Sequence, residues 1–173
     1  MKKVITPMQI TAADSNRRTI TGRIVTFEET GSASIGKVQF AAGSIEPTPV
    51  LLNLEHDRTR RIGSTLSMTS DDKGIEAVFK IVETTAGNDS LVEASTGMRD
   101  GFSVEVSYDE YETLKDGTVR ILKGELTGVA LTSEPAIRSS RVSEVAATTG
   151  EEEQVSDSTI EPEVPPTTEG DEV

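Results

Sequence analysis

Over its first 82 residues the chain repeats one pattern: short runs in which β-branched and polar residues alternate, each stopped by glycine, proline or a polar cluster. Period-two alternation is the signature of strands with one face turned to a core, and breakers at this spacing leave no room for long helices. The runs Val4 to Thr11, Thr19 to Phe27, Lys37 to Ala41, Val50 to Leu54, Ile62 to Met68 and Ile75 to Ile81 are therefore expected to be strands. Turn-like segments such as Glu29-Thr-Gly-Ser and Ser70-Asp-Asp-Lys-Gly74 separate them. Many short strands closely spaced predict a barrel or a sandwich.

One helix is expected to interrupt the strands. Between Asn88 and Arg99 the apolar residues Leu91, Val92, Ala94 and Met98 fall at helical spacing, and Ser90-Leu-Val-Glu93 has the form of a capping box. Gly101 then releases the chain into a strand from Phe102 to Tyr108. A hairpin follows, turning at Lys115-Asp-Gly117-Thr and returning through Val119 to Leu122, and the apolar run Leu126 to Leu131 makes a further strand that ends at Pro135.

Charge divides the chain in two. Of its 30 acidic residues nine lie in 148–173, which has no basic residue, whereas residues 1–147 hold all 17 lysines and arginines. The C-terminal segment has few apolar groups and many like charges, too little to offset chain entropy, so 148–173 is expected to be a disordered acidic tail behind a folded domain at 1–147. The folded part is nearly charge-balanced, and its basic clusters, Arg17-Arg18 and Arg58 with Arg60-Arg61, are too short for the basic face that releases counterions from phosphates. Direct nucleic-acid binding is not expected. Nor is a membrane span: the N-terminal Met-Lys-Lys lacks the apolar stretch of a signal peptide, and no later run could cross a bilayer. Asn88-Asp-Ser90 has the form of a glycosylation acceptor, which without secretion has no consequence.

The absence of cysteine excludes a disulfide framework and a thiol nucleophile, and a single histidine, His56, excludes the familiar histidine-pair zinc sites. Asp71-Asp72-Lys-Gly74 is short of calcium ligands and reads as a turn, and no glycine-rich loop precedes a lysine in the phosphate-binding pattern. No cofactor or metal is expected. A serine becomes a nucleophile near neutral pH only with a base against its hydroxyl, so if the chain is an enzyme of that kind, His56 is in its site. His56 closes the run Pro49-Val-Leu-Leu-Asn-Leu-Glu-His56-Asp57, at the exit of an apolar strand, where a base can be held rigidly and still meet substrate. Ser103 stands in Gly101-Phe-Ser-Val-Glu-Val106, where alternation puts it on one face with Glu105 and puts Phe102, Val104 and Val106 on the other.

Three segments carry a resemblance: Pro-Val-Leu-Leu-x-x-x-His-Asp with Ile62-Gly63 beyond it, the helix-like stretch leading into Gly-Phe-Ser-Val, and Glu125-Leu-Thr-Gly-Val129-Ala-Leu-Thr-Ser-Glu-Pro135-Ala136. In that order they resemble the prohead, or capsid maturation, serine proteases of tailed phages, a family similar in fold to the herpesvirus assembly protease. The resemblance covers roughly residues 17 to 146. It implies a mostly β fold, a closed or nearly closed antiparallel barrel with one or a few short helices. It also implies a serine endopeptidase in which Ser103 attacks, His56 moves the proton and an acidic residue on a later strand orients the imidazole. The matching acid is Glu125, with Glu134 as runner-up, and where many relatives carry a further acidic residue this chain has Gly128. The herpesvirus relatives further suggest an oxyanion water held by Arg138 or Arg141.

Function expected from the resemblance is cleavage of scaffold or of capsid-protein delta segments, and of the chain itself, inside a procapsid assembling in the host cytoplasm, with self-association by analogy. Two other readings stand beside it. One is a protease-like scaffolding protein with a degenerate site that binds capsid subunits, favoured by Gly128 and the acidic tail. The other is an unrelated β-barrel binding module in which Ser103 and His56 lie far apart.

Overall fold

The computed structural model describes residues 2–12 and 18–134. The tail at 148–173 and the arginines Arg138 and Arg141 lie outside the described residues. Ten strands and one helix follow in the order β1 (Lys2–Ala12), β2 (Thr19–Thr26), β3 (Gly31–Ala33), β4 (Gly36–Phe40), β5 (Ile45–Glu46), β6 (Leu51–Leu54), β7 (Asp57–Ser70), β8 (Gly74–Ile81), α1 (Thr85–Ser95), β9 (Gly101–Thr113) and β10 (Val119–Thr132). All six strands expected in the first 82 residues are present. The two segments expected after the Lys115 turn are one strand, β10, kept continuous past Leu122 by irregularities in its pairing with β9.

The strands form one curled sheet ordered β3-β4-β10-β6-β7-β8-β2-β1-β9, and β9 pairs again with β10. Neighbours from β6 round to β9 are antiparallel. The sheet is not antiparallel throughout, because β10 runs parallel to β4, β5 and β6. Chain direction explains this: β6 and β10 are separated by the β7-β8 meander, the helix and β9, a crossover long enough to bring β10 in alongside β6 with the same polarity.

Alternation sorts the side chains as the sequence suggests. Phe102, Val104 and Val106 of β9 lie opposite Leu131, Val129 and Leu126 of β10, and Leu54 and Leu52 of β6 continue the first two of these rows into the core with Ile62, Phe79 and Ile81. The other face carries the row Ser103, Ala130 and Asn53, each directly paired with the next across β9, β10 and β6.

The helix begins earlier than the sequence suggests. Thr84 is its N-cap and accepts from the Gly87 amide at 3.1 Å, while Ser90 is buried and donates to the Ala86 carbonyl at 2.6 Å. Gly87, Ser90, Leu91 and Ala94 form the buried stripe, so Ser90 packs rather than caps, and Val92 and Met98 are exposed. No helix among the described residues is long and apolar enough to cross a membrane.

Candidate active site

The β6–β7 connection has two central residues, Glu55 and His56, between the paired residues Leu54 and Asp57. Both have positive φ, 45° and 62°, the combination of a type I′ turn. That turn normally takes Asn-Gly; here two bulky residues hold a conformation they disfavour, a kind of strain that persists only where surroundings enforce it. The turn carries His56 to the face of the sheet that holds Ser103.

There the imidazole is engaged at both nitrogens. Nε2 lies 2.8 Å from the Ser103 hydroxyl and Nδ1 lies 3.1 Å from Oε1 of Glu105. A carboxylate only accepts, so Nδ1 carries the proton and donates to Glu105, which leaves Nε2 to accept from the Ser103 hydroxyl. Ser103 is 4% exposed and Glu105 1%, whereas the His56 side chain keeps 25%. The second oxygen of Glu105, Oε2, accepts from Nη2 of Arg58 at 2.7 Å. A buried carboxylate is costly unless paired and hydrogen-bonded, and here both of its oxygens are occupied.

Arg58 reaches Glu105 because β7 bulges. Asn53 and Leu54 are adjacent on β6, yet they pair with Arg61 and Asp57, so residues 58–60 are extruded. Asp57 fixes the extruded loop by accepting from the amide and hydroxyl of Thr59 at 2.9 and 2.6 Å. These bonds hold the Asp57 carboxyl below its ordinary range. A second bulge lies opposite, where Thr127 of β10 is skipped between the pairs Leu126–Val106 and Gly128–Glu105, and its hydroxyl donates to the Glu105 carbonyl at 3.0 Å. Bulges commonly re-aim side chains beside active sites.

Ser103 and His56 thus come together as the sequence suggests, but the carboxylate beside them is Glu105, not Glu125. Glu125 lies opposite Ser107, four residues along β9 from Ser103, or roughly 13 Å at the rise of a strand. It is exposed and lines a separate cavity of about 740 Å³ with Glu46, Tyr108 and Asp109, into which neither Ser103 nor His56 opens. Glu134 is exposed, and among the described residues neither glutamate bonds to His56. Asp57, the neighbour a plain surface histidine would bind, is committed to Thr59. Beside Glu105 a cleft of about 90 Å³ is lined by Leu51, Asn53, Arg58, Arg61 and Thr127.

Sequence reasoning missed Glu105 and Arg58. The signal for Glu105 was present, since it shares the Ser103 face of β9. Gly128 accounts for the space it occupies: a Cβ at 128 would lie 3.4 Å from Oε2 of Glu105 and 3.5 Å from its Cδ. A larger side chain there would compete with the carboxylate. Among the described residues no group of acidic or histidine side chains is placed to hold a metal ion.

A serine hydroxyl, an imidazole and a carboxylate in hydrogen-bonded series on a curled sheet form an arrangement suited to acyl transfer. The comparisons agree with that class. The chain belongs to the caudovirus prohead serine proteases, whose sequence profile matches residues 6–155. In fold it is similar to the bacteriophage T4 capsid assembly protease, gp21, with a TM-score of 0.55 over 75% of this chain and 97% of that one, at 10% identity. No curated protein matches the sequence.

Proposed function

We propose that the protein is a serine endopeptidase of procapsid maturation in which Ser103 is the nucleophile, His56 the base and Glu105 the orienting acid. The observation that carries this reading is the double engagement of the imidazole, 2.8 Å to Ser103 and 3.1 Å to Glu105. As Oγ of Ser103 bonds to the substrate carbonyl carbon, its proton passes to Nε2. The tetrahedral species collapses as the C–N bond breaks and Nε2 returns the proton to the leaving amine. Water, deprotonated by the same nitrogen, then cleaves the acyl-serine. Glu105 holds the ring in the Nδ1–H tautomer throughout and stabilises the imidazolium of each half-reaction, while Arg58 keeps that carboxylate oriented.

The substrates proposed are scaffold or capsid-protein segments, and the chain itself, within the assembling procapsid of the host cell. Family membership supports this, as does the fold shared with a capsid assembly protease. The return pairing of β9 with β10 supports a closed barrel as the scaffold of the site.

Intact mass of the protein, alone and co-expressed with its capsid protein, tests the proposal with wild type beside Ser103→Ala, His56→Ala and Glu105→Ala. Defined fragments from wild type and full-length chains from all three variants are expected. Equal absence of cleavage in all four, with capsid binding retained, would instead favour a scaffolding role.

A further inference from the structure

The turn that carries His56 is strained at two successive residues, and the contacts that enforce it converge on one side chain. The Glu55 carboxylate accepts from the Thr132 hydroxyl at 2.7 Å, from the Ser133 amide at 2.9 Å, from the Ser133 hydroxyl at 3.1 Å, and from Arg99. Its backbone amide donates to the Leu131 carbonyl at 3.1 Å. Arg99 is itself held by Glu93 of the helix at 2.7 Å and lies two residues before β9, while Thr132 and Ser133 close β10. One carboxylate therefore ties the histidine turn to the end of β10 and to the segment that delivers the nucleophile strand.

We infer that Glu55 is a positioning residue: by clamping the strained turn to Thr132, Ser133 and Arg99 it sets the His56 imidazole at bonding distance from Ser103. The inference rests on the proposed protease site, since it concerns the alignment of that base with that nucleophile. Without the clamp nothing in the local sequence favours positive φ at residues 55 and 56, and relaxation of either dihedral would swing the ring away from the β9 face. Electrostatics agree with an ionised clamp. Burial pushes the Glu55 carboxyl up, but the bonds from Thr132 and Ser133 and the nearby Arg99 charge outweigh it and leave the group below its ordinary range.

The separating variant is Glu55→Asn. Asparagine tolerates positive φ at residue 55, which offsets lost stability, but its side chain is too short to bridge to Thr132, Ser133 and Arg99, so the strained φ at His56 is left without its clamp and free to relax. Two readouts on the full chain are independent of the natural substrate. A fluorophosphonate reports activated serine as a mass increase mapped to Ser103. Proton NMR reports the single histidine through the hydrogen-bonded Nδ1–H, whose resonance lies far downfield and has no other histidine to overlap it.

Glu55→Asn is expected to unfold in urea at the wild-type midpoint, to lose the downfield proton, and to be labelled at Ser103 about a hundredfold more slowly, the scale of an ångström misplacement. Glu55→Gln keeps one carbonyl acceptor and is expected to fall between the two. Wild-type labelling and an unchanged imidazole proton in Glu55→Asn would overturn the inference. So would a parallel loss of stability and labelling with no recovery in Glu55→Gln, which is the pattern of a merely structural contact. If wild type is not labelled while its imidazole proton is present, and Glu55→Asn loses that proton, the clamp stands and the nucleophile assignment falls.

Discussion

Ser103 and Glu105 stand two residues apart on β9, and His56 spans them, with one ring nitrogen on each. In the proposed site, nucleophile and acid are thus neighbours on a single strand, and only the base comes from another element. The sharpest test of the arrangement compares two glutamates. Glu105→Gln preserves shape but can present its amide NH₂ to Nδ1 and favour the wrong tautomer, and it is expected to lower the cleavage rate by about 10³- to 10⁴-fold. Glu125→Gln, exposed beside Ser107, is expected to leave the rate within about twofold of wild type, as for surface substitutions away from a site. Cleavage rates of a capsid-derived peptide decide between them, and the reverse ranking would return the orienting role to Glu125.

Gly128 gives a graded prediction. An alanine Cβ would sit 3.4 Å from the Glu105 carboxylate, near ordinary contact, so Gly128→Ala is expected to change stability by under about 1 kcal/mol. Gly128→Asp would set a second carboxylate against one that is 1% exposed. The expected loss is about 3 kcal/mol at neutral pH, together with most of the activity, because neither charge can be fully solvated. Urea denaturation of the two variants beside wild type checks both magnitudes. Equal stability would mean that the site has room for two acids.

How far the fold could be read in advance follows from the range of the forces involved. Strand existence is local: alternation located β2 and β8, and the Ser70-Asp-Asp-Lys-Gly74 run marked the turn from β7 into β8, where Asp71 caps the Lys73 and Gly74 amides at 2.8 Å. The helix start was misread because Ser90-Leu-Val-Glu93 has the form of a capping box, whereas Thr84 is the N-cap and Ser90 packs into the buried stripe, which only tertiary contacts decide. The parallel pairing of β10 with β6 and the extrusion of residues 58–60 depend on contacts between distant segments, which no local pattern carries. The carboxylate beside His56 was not legible for a related reason. Resemblance pointed to β10, whereas the register that sets Glu105 rather than Glu125 beside His56 emerges only when β9, β10 and the histidine turn assemble.

Turn carboxylates predict an acid-sensitive fold. Asp71 is held below its ordinary range chiefly by the amides of Lys73 and Gly74, and Asp116 by the amide and then the hydroxyl of Thr118. A group whose folded value is depressed stabilises the fold fully above its unfolded value, near 4 by ordinary aspartate behaviour, and loses that contribution as pH falls through the folded value. Stability should therefore be flat near neutrality and decline below about pH 4. Both groups are solvent-exposed, so each step is small. Thermal midpoints from pH 7 down to pH 2.5 should show a shallower acid decline in Asp71→Ala with Asp116→Ala than in wild type; parallel curves would contradict the assignment.

The helix seat gives a final prediction in which two effects oppose one another. Glycine to alanine in a helix ordinarily gains about 0.5–1 kcal/mol, because glycine loses the most backbone freedom on folding. At Gly87, however, a Cβ would lie 2.1 Å from the Val82 carbonyl oxygen, and that oxygen belongs to backbone that already accepts from Arg18 at 2.9 Å. Relief requires the first turn of α1 to lift from the sheet, which would also loosen the Thr84 cap on the Gly87 amide. The clash should win, and Gly87→Ala is expected to destabilise the protein by about 2 kcal/mol in urea. Val92→Ala, on the exposed face of the same helix, should stay within about 0.5 kcal/mol of wild type. A stabilised Gly87→Ala protein would mean that helix propensity governs this position and that the close approach to Val82 is not a constraint on the fold.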